Sequence, residues 1–400
     1  MTLSFDLSAY HYNLPKERIA RYPLSSRDSA RLLVWKKGII SHHHFGELPR
    51  LLQPSATLVF NTTRVIPARL FFRKGTGALI EIFFLGPSDP STPLEEALQR
   101  QGNVRWLCKV RNLRRWKGML VQHHHRWQLT AHLEKRVDHG VIVRFEWVPP
   151  EKSFAEILDV FGRIPLPPYL HRLDEAVDRH RYQTVFARWP GSVAAPTASL
   201  HFSESLLAEL RNRFVVVELT LHVGAGTFQP IRSHDPYSHA MHSEQIRISR
   251  LAIRQLAQAQ HITAVGTTAV RTLESLYWYA RHFMALLRSS DPMPPLVIGR
   301  FPYADRRQGG PSFREAMHML VEKMDREGIS AIEGHTRLFI IPPYDFRAVD
   351  SLITNFHLPR STLLLLVDAF VRGNWRPIYE TALQMGYRFL SYGDASLLIP

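Results

Sequence analysis

Cysteine is nearly missing from this chain: Cys108 stands alone in 400 residues. No disulfide framework can form, so stability must come from a packed core. Long apolar runs are missing too. None approaches the roughly 18 residues a membrane-spanning helix needs, and the densest short one covers 363–367. The N-terminal stretch MTLSFDLSAYHYNLPKE has neither the basic start nor the apolar segment of a secretory signal. These absences lead to the expectation of a soluble protein in a reducing cytoplasm. Metal-ligand spacing is also lacking. The two His triplets, at 42–44 and 123–125, have no accompanying cluster of acids or thiols. Consecutive strand residues alternate faces, so three in a row cannot reach one ion, and no metal is expected. What remains is 45% hydrophobic and 21% charged, the composition of a globular chain and not of a disordered or fibrous one. At roughly 150 residues per domain, two or three domains are expected.

Negative charge is scarce. Asp and Glu number 35 against 50 Lys and Arg, a net charge of +15. Such an excess suits a polyanion or an anionic surface, although it also suits a merely solvated basic face. Its distribution favours a partner. Residues 101–150 hold ten Lys and Arg against three acids, interleaved with Trp106, Trp116, Trp127 and Trp147. Cations neutralise phosphates and aromatic faces stack on unpaired bases, while tryptophan is more often a core residue.

From Arg64 to Trp147 six short runs with period-two character (VIPARLFF, ALIEIFFL, VRWLCKV, GMLVQH, RWQLTAHL, VIVRFEW) are separated by turn-like segments. They read as a small antiparallel barrel or sandwich. Elsewhere β-branched strands at 214–221, 263–265, 338–341 and 351–354 alternate with helical patterns at 203–213, 248–260, 271–288 and 312–326. Ser203 and Ser312 are the candidate N-caps. Alternation of this kind gives parallel strands with crossover helices. The expected fold class is α/β, with a large discontinuous domain over 1–63 and 151–400 around a mostly parallel sheet. A six-stranded barrel over 64–150 is inserted into it. The Pro-, Gly- and Arg-rich segment 289–311 reads as a long loop.

Polar residues collect just after the strands, where an open α/β sheet binds its ligands. His222 and the loop GAGT at 224–227 follow one strand. Its glycines admit close backbone approach to a ligand, as in a methyltransferase loop, or simply make a tight turn. Pro230 breaks any long helix starting there. GTTAVRTLES (266–275) opens a helix whose N-terminus, with Thr268 and Arg271, suits an anion. The alternative is a surface pair of Arg271 with Glu274. Asn355 and His357 follow another strand, and Asp394 lies in a turn near the end.

Ten segments in order then carry a resemblance: FDLSAYHYNLPKERIARYPLSSRDSARLLV, TLVFNTTRVIPARL, GRIPLPPYL, RYQTVFA, GSVAAPTASLHF, LTLHVGAGTFQPIR, HAMHSE, VGTTAVRTLES, LITNFHLPRSTLLLLV and YRFLSYGDASLL. The chain resembles the S-adenosylmethionine:tRNA ribosyltransferase-isomerase family of queuosine biosynthesis. Thr62, Ser199, Ala269 and Pro343 depart from the family's usual residues. The resemblance implies transfer and isomerisation of the ribosyl unit of S-adenosylmethionine onto 7-aminomethyl-7-deazaguanine at the tRNA wobble position, releasing adenine and methionine. S-adenosylmethionine is then a co-substrate, and neither a true cofactor nor a metal is implied. On this reading His201, His222 and His242 are candidates for proton transfer, with Glu244 as partner. Gly224, Gly226 and Thr227 shape the donor pocket, and Thr268 and Arg271 meet the methionine carboxylate. Asn61, Arg64 and Arg69 contact the deazaguanine or its phosphate, or else form an inter-domain salt bridge. His357 and Asp394 are further site members. A monomer is expected. A methyltransferase using the same donor and an RNA-binding protein without catalysis are the competing readings.

Overall fold

Side-chain caps fix the helix starts. Ser203 accepts the Leu206 N–H ahead of the helix Glu204–Arg213. Ser312 and Glu315 close a capping box ahead of Phe313–Glu327, satisfying N–H groups that a first turn leaves orphaned. The computed structural model describes residues 5–89, 91–224, 231, 235–304 and 309–400. Its strands in chain order are β1 (Arg31–Lys36), β2 (Ile39–His44), β3 (Ala56–Asn61), β4 (Thr63–Val65), β5 (Arg69–Arg73), β6 (Leu79–Pro87), β7 (Asn103–Arg111), β8 (Leu120–His124) and β9 (Trp127–Val137). There follow β10 (Gly140–Val148), β11 (Trp189–Ser192), β12 (Val215–Leu221), β13 (Glu244–Ser249), β14 (His261–Val265), β15 (Leu296–Ile298), β16 (Ala331–Thr336), β17 (Ser351–Asn355) and β18 (Ala395–Ile399).

Ten strands form one sheet in the order β15-β16-β13-β12-β3-β14-β17-β18-β1-β2. Its central four, β12, β3, β14 and β17, run parallel, and five of the nine pairings overall are parallel. Central strands are buried on both faces, as parallel sheets demand. Leu58 and Phe60 of β3 enter a core shared with the helix Glu204–Arg213. Val59 enters the larger core beneath Thr267–His282, Phe313–Glu327 and Thr362–Phe370. The C-terminal ends of the four parallel strands therefore bring Asn61, His222, Gly266 and Asn355 to one edge of the sheet.

The other large sheet, β5-β6-β7-β10-β9-β8, is antiparallel throughout. Its edge strands β5 and β8 approach each other, so it curls into a nearly closed barrel. The interior is plugged by the helix Phe154–Phe161, whose Phe154 meets Phe84, Trp106, Phe145 and Trp147. The barrel core thus extends to Phe161. Trp106, Trp116 and Trp147 belong to it and are buried. Burying a large apolar side chain stabilises by about 1.5–3 kcal/mol, and these three rings are spent on the core, not on stacking bases. The chain enters the barrel through β4 and leaves through β11, which pair in parallel as a two-stranded stem.

Several sequence expectations are corrected. Residues 338–341 are not a strand. They are buried irregular backbone, so their apolar character reflects burial without pairing. The segment 289–311 contains β15, which pairs with β16, while 305–308 lie outside the described residues. Ile248 belongs to β13, and Ser249 caps the helix Arg250–Gln258. The helix expected from 271 begins at Thr267.

Candidate active site between the barrel and the sheet

A cavity of about 460 Å³ separates the barrel from the sheet edge, within the range of roughly 300–1,000 Å³ typical of small-molecule sites. The barrel supplies Arg69, Glu81, Phe83, Lys109 and Arg111. The α/β body supplies the proline run 165–168, Val193, Ala194 and Gly224. Gly224 follows β12, and among the described residues a Cβ there would meet Glu244 Cγ alone, at 4.0 Å.

Behind Gly224 lies a buried ion pair. Gly224 N–H donates to Glu244 Oε1 at 3.2 Å, and Arg271 Nη1 donates to Glu244 Oε2. Arg271 Nε reaches the Leu338 carbonyl at 2.9 Å. Its Nη2 is buried with no hydrogen-bond partner among the described residues, an uncommon state for a guanidinium nitrogen. The alternative pairing with Glu274 is absent. Glu274 is buried and accepts from Tyr344 Oη and the N–H groups of Arg347 and Ala348. Burial raises its carboxyl to about 7.

His242 lines a small adjoining cavity with Glu244 and Arg271. It is exposed, and its basicity is lowered by partial burial and the charge of Lys109, against the opposing effect of Glu244. Of the three candidate imidazoles it alone borders a cavity with both members of the ion pair.

The other expected residues lie elsewhere. His222 Nδ1 sits 2.8 Å from Thr63 Oγ1, and burial pushes the imidazole down to about 4. It packs so closely on Gly191 that a Cβ there would come within 2.9 Å of Nδ1. His201 Nε2 pairs with Asn355 Nδ2 at 3.1 Å, lies against Phe45, and is held at about 3 by burial. His357 Nε2 pairs with Thr354 Oγ1 at 3.0 Å and is likewise held at about 3. The three imidazoles therefore occupy separate core settings and do not form one cluster with His242. Asn61 is a splice: its Oδ1 accepts from Leu221 and Thr63 N–H, and its Nδ2 donates to the Leu221 carbonyl. Asp394 caps a turn by accepting from Arg31 and Arg388 N–H. Arg69 pairs with Glu81 on the barrel's outer face at 3.2 Å, not across the domains, and Arg64 is exposed on β4. Thr268 Oγ1 is buried without a partner among the described residues. Gly226 and Thr227 lie outside them.

Lys109, Phe83 and the proline run within GRIPLPPYL are cavity residues that were not among the expected site residues. A signal exists: on β6 and β7 an aromatic and a cation face outward, where alternation puts solvent.

Comparison with known families decides the relationship. The model of the family described as "Queuosine biosynthesis protein" matches residues 7–398. The chain belongs to that family. Within the queuosine biosynthesis family, an S-adenosylmethionine:tRNA ribosyltransferase-isomerase from Anaeromyxobacter dehalogenans is 41% identical, over 98% of this chain and 99% of its own. The enzyme of the same name from Pelobacter propionicus is 38% identical, over 97% and 98% respectively. A solved S-adenosylmethionine tRNA ribosyltransferase from Thermotoga maritima is 28% identical, covering 98% of this chain and 99% of that one, with a TM-score of 0.45. Among the described residues, no helix is long and apolar enough to cross a membrane.

Proposed function

We propose that this family member is an S-adenosylmethionine:tRNA ribosyltransferase-isomerase. It transfers the ribosyl unit of S-adenosylmethionine to the aminomethyl group of 7-aminomethyl-7-deazaguanine in a tRNA anticodon. The unit is rearranged to the epoxycyclopentanediol of epoxyqueuosine, and adenine and methionine leave. The observation that carries the reading is the cavity between barrel and sheet, walled by Gly224 and backed by the Glu244–Arg271 pair. The donor lies in this cavity. Its methionine carboxylate extends toward the small adjoining cavity lined by Arg271, whose Nη2 has no partner among the described residues, for a charge-assisted bond of the stronger kind. The sulfonium acidifies the adjoining ribose CH₂, and His242, neutral near pH 7 because its basicity is lowered, removes the proton as general base. Buried His201, His222 and His357 support the strand ends. Arg69 and Lys109 face the acceptor nucleotide from the barrel side. The protein acts as a monomer in the cytoplasm.

Incubation with S-adenosylmethionine and a tRNA carrying the aminomethyl-deazaguanine tests this. The expected products are adenine, methionine and an epoxyqueuosine nucleoside, read by mass spectrometry. S-adenosylhomocysteine with a methylated nucleoside would establish the methyltransferase instead.

A further inference from the structure

The barrel's outer face carries an ordered ladder. Strand register sets Arg69 beside Phe83 and Phe83 beside Lys109, making one cross-strand row. The next row is Phe71, Glu81 and Arg111, and the third places Arg73 beside Leu79. The donor cavity covers the first row and reaches Glu81 and Arg111. A second cavity of about 700 Å³ starts from those same two residues and runs over Phe71 and Arg73 to Arg163 and Arg179 on the far wall. The two cavities therefore form one trough over three strands.

Charge in the outer part of this trough is predominantly positive. Glu81 is already engaged by Arg69 at 3.2 Å, and Arg111 reaches it only at 4.0 Å with an 80% exposed side chain. Arg163 is matched by Asp174 at 2.8 Å. Among the described residues Arg179 bonds to the carbonyls of Asp159 and Gly162, which do not neutralise its charge. Phe71 is half-buried on the floor. Gln122 contributes an amide oxygen that is shielded from water and has no partner among the described residues. A cationic groove with an aromatic floor is how proteins hold single-stranded nucleic acid.

We propose that the outer trough binds the unpaired nucleotides flanking the target base. One base stacks on Phe71, and Arg73, Arg111 and Arg179 meet the adjoining phosphates. This rests on the ribosyltransferase reading, because it places the flanking RNA two residues along the barrel strands from the donor, about 7 Å. The trough shares Arg111 with the basic, tryptophan-interleaved segment, while the tryptophans Trp106, Trp116 and Trp147 are buried and take no part.

The test is equilibrium binding of an unmodified anticodon stem–loop RNA to the full-length protein at several salt concentrations. Steady-state turnover on the modified RNA accompanies it. Arg73→Glu is expected to weaken RNA binding five- to twentyfold. It should also lower the slope of log affinity against log salt by about 0.7 or more, the contribution of one single-strand phosphate contact. Phe71→Ala is expected to raise the RNA KM about tenfold, with the S-adenosylmethionine KM unchanged and with Phe71→Tyr restoring the wild-type value. A merely structural role for Phe71 would shift both KM values together with the melting temperature. RNA affinity, salt slope and RNA KM at wild-type values in folded Arg73→Glu and Phe71→Ala proteins would overturn the trough. If wild-type enzyme formed epoxyqueuosine in the same assay, the activity would stand while the trough fell. Absence of RNA binding by the wild-type protein would overturn both.

Discussion

Proton transfer needs an imidazole that is neutral, reachable and beside the reacting atoms. His242 meets the first two conditions and borders the Glu244–Arg271 pair. His201, His222 and His357 are neutral but enclosed. His242→Ala is therefore expected to lower kcat by about 10²- to 10⁴-fold, the usual worth of a positioned general base, with little change in melting temperature. A base works only when deprotonated. Because burial and Lys109 hold His242 below its ordinary value of 6.5, the acid limb of kcat/KM should have its midpoint below pH 6.5. The His242→Ala enzyme should lose that acid limb. His222→Ala should do the reverse, keeping turnover while losing about 2–4 kcal/mol of stability to the space left beside Gly191 and Thr63. Wild-type turnover in a folded His242→Ala protein would remove the residue from the reaction.

At the scale of elements, the Glu244–Arg271 pair fastens the start of β13 to the second turn of Thr267–His282, and Gly224 hangs from the same carboxylate. Breaking a buried pair from one side leaves an uncompensated charge and costs about 3–5 kcal/mol. Glu244→Gln should cost that order in denaturant unfolding and raise the S-adenosylmethionine KM. Methionine at both positions should recover part of the stability, because buried pairs are replaceable by packed apolar side chains, while the KM stays high. Recovery of both would reduce the pair to packing.

Elements of this kind divide in how far they can be read from residues. The barrel strands, the parallel centre and the caps Ser203 and Ser312 were legible, since alternation, β-branched runs and capping residues are local signals. The flanking strands β1, β2, β13, β15, β16 and β18, of which β2 and β15 form the sheet's edges, were not read as strands, because most of their pairings join distant segments and β16 carries the mixed run AIEGHT. At the site, the motifs located the strand ends correctly but gave no measure of depth. His201, His222 and His357 look alike in sequence to His242, and only packing separates a core imidazole from one at a cavity. Lys109 and Phe83 were hidden because their significance comes from the barrel's placement against the body.

The molecule as a whole carries its buried imidazoles as an acid liability. His201 and His357 are held at about 3 and His222 at about 4, each by burial, against about 6.5 in an unfolded chain. Below pH 6.5 the unfolded state takes up three protons that the folded state refuses, so stability present near neutrality is lost as pH falls. Glu274 acts in the opposite sense. Burial raises it to about 7, so below that pH the folded state gains a proton that an unfolded glutamate, ordinarily near 4.3, does not bind until more acid pH. Two protons net favour the unfolded state, and linkage converts them into a limiting slope of about 3 kcal/mol per pH unit near pH 5. Urea unfolding at a series of pH values from 7.5 to 5 should show stability level at the top and falling with that steepness at the bottom. His201→Gln removes one of the three imidazoles and should roughly halve the slope, whatever it does to stability at pH 7.5. A wild-type protein whose unfolding free energy is unchanged down to pH 5 would mean that these rings open to water and titrate normally, which their burial in the folded protein does not allow.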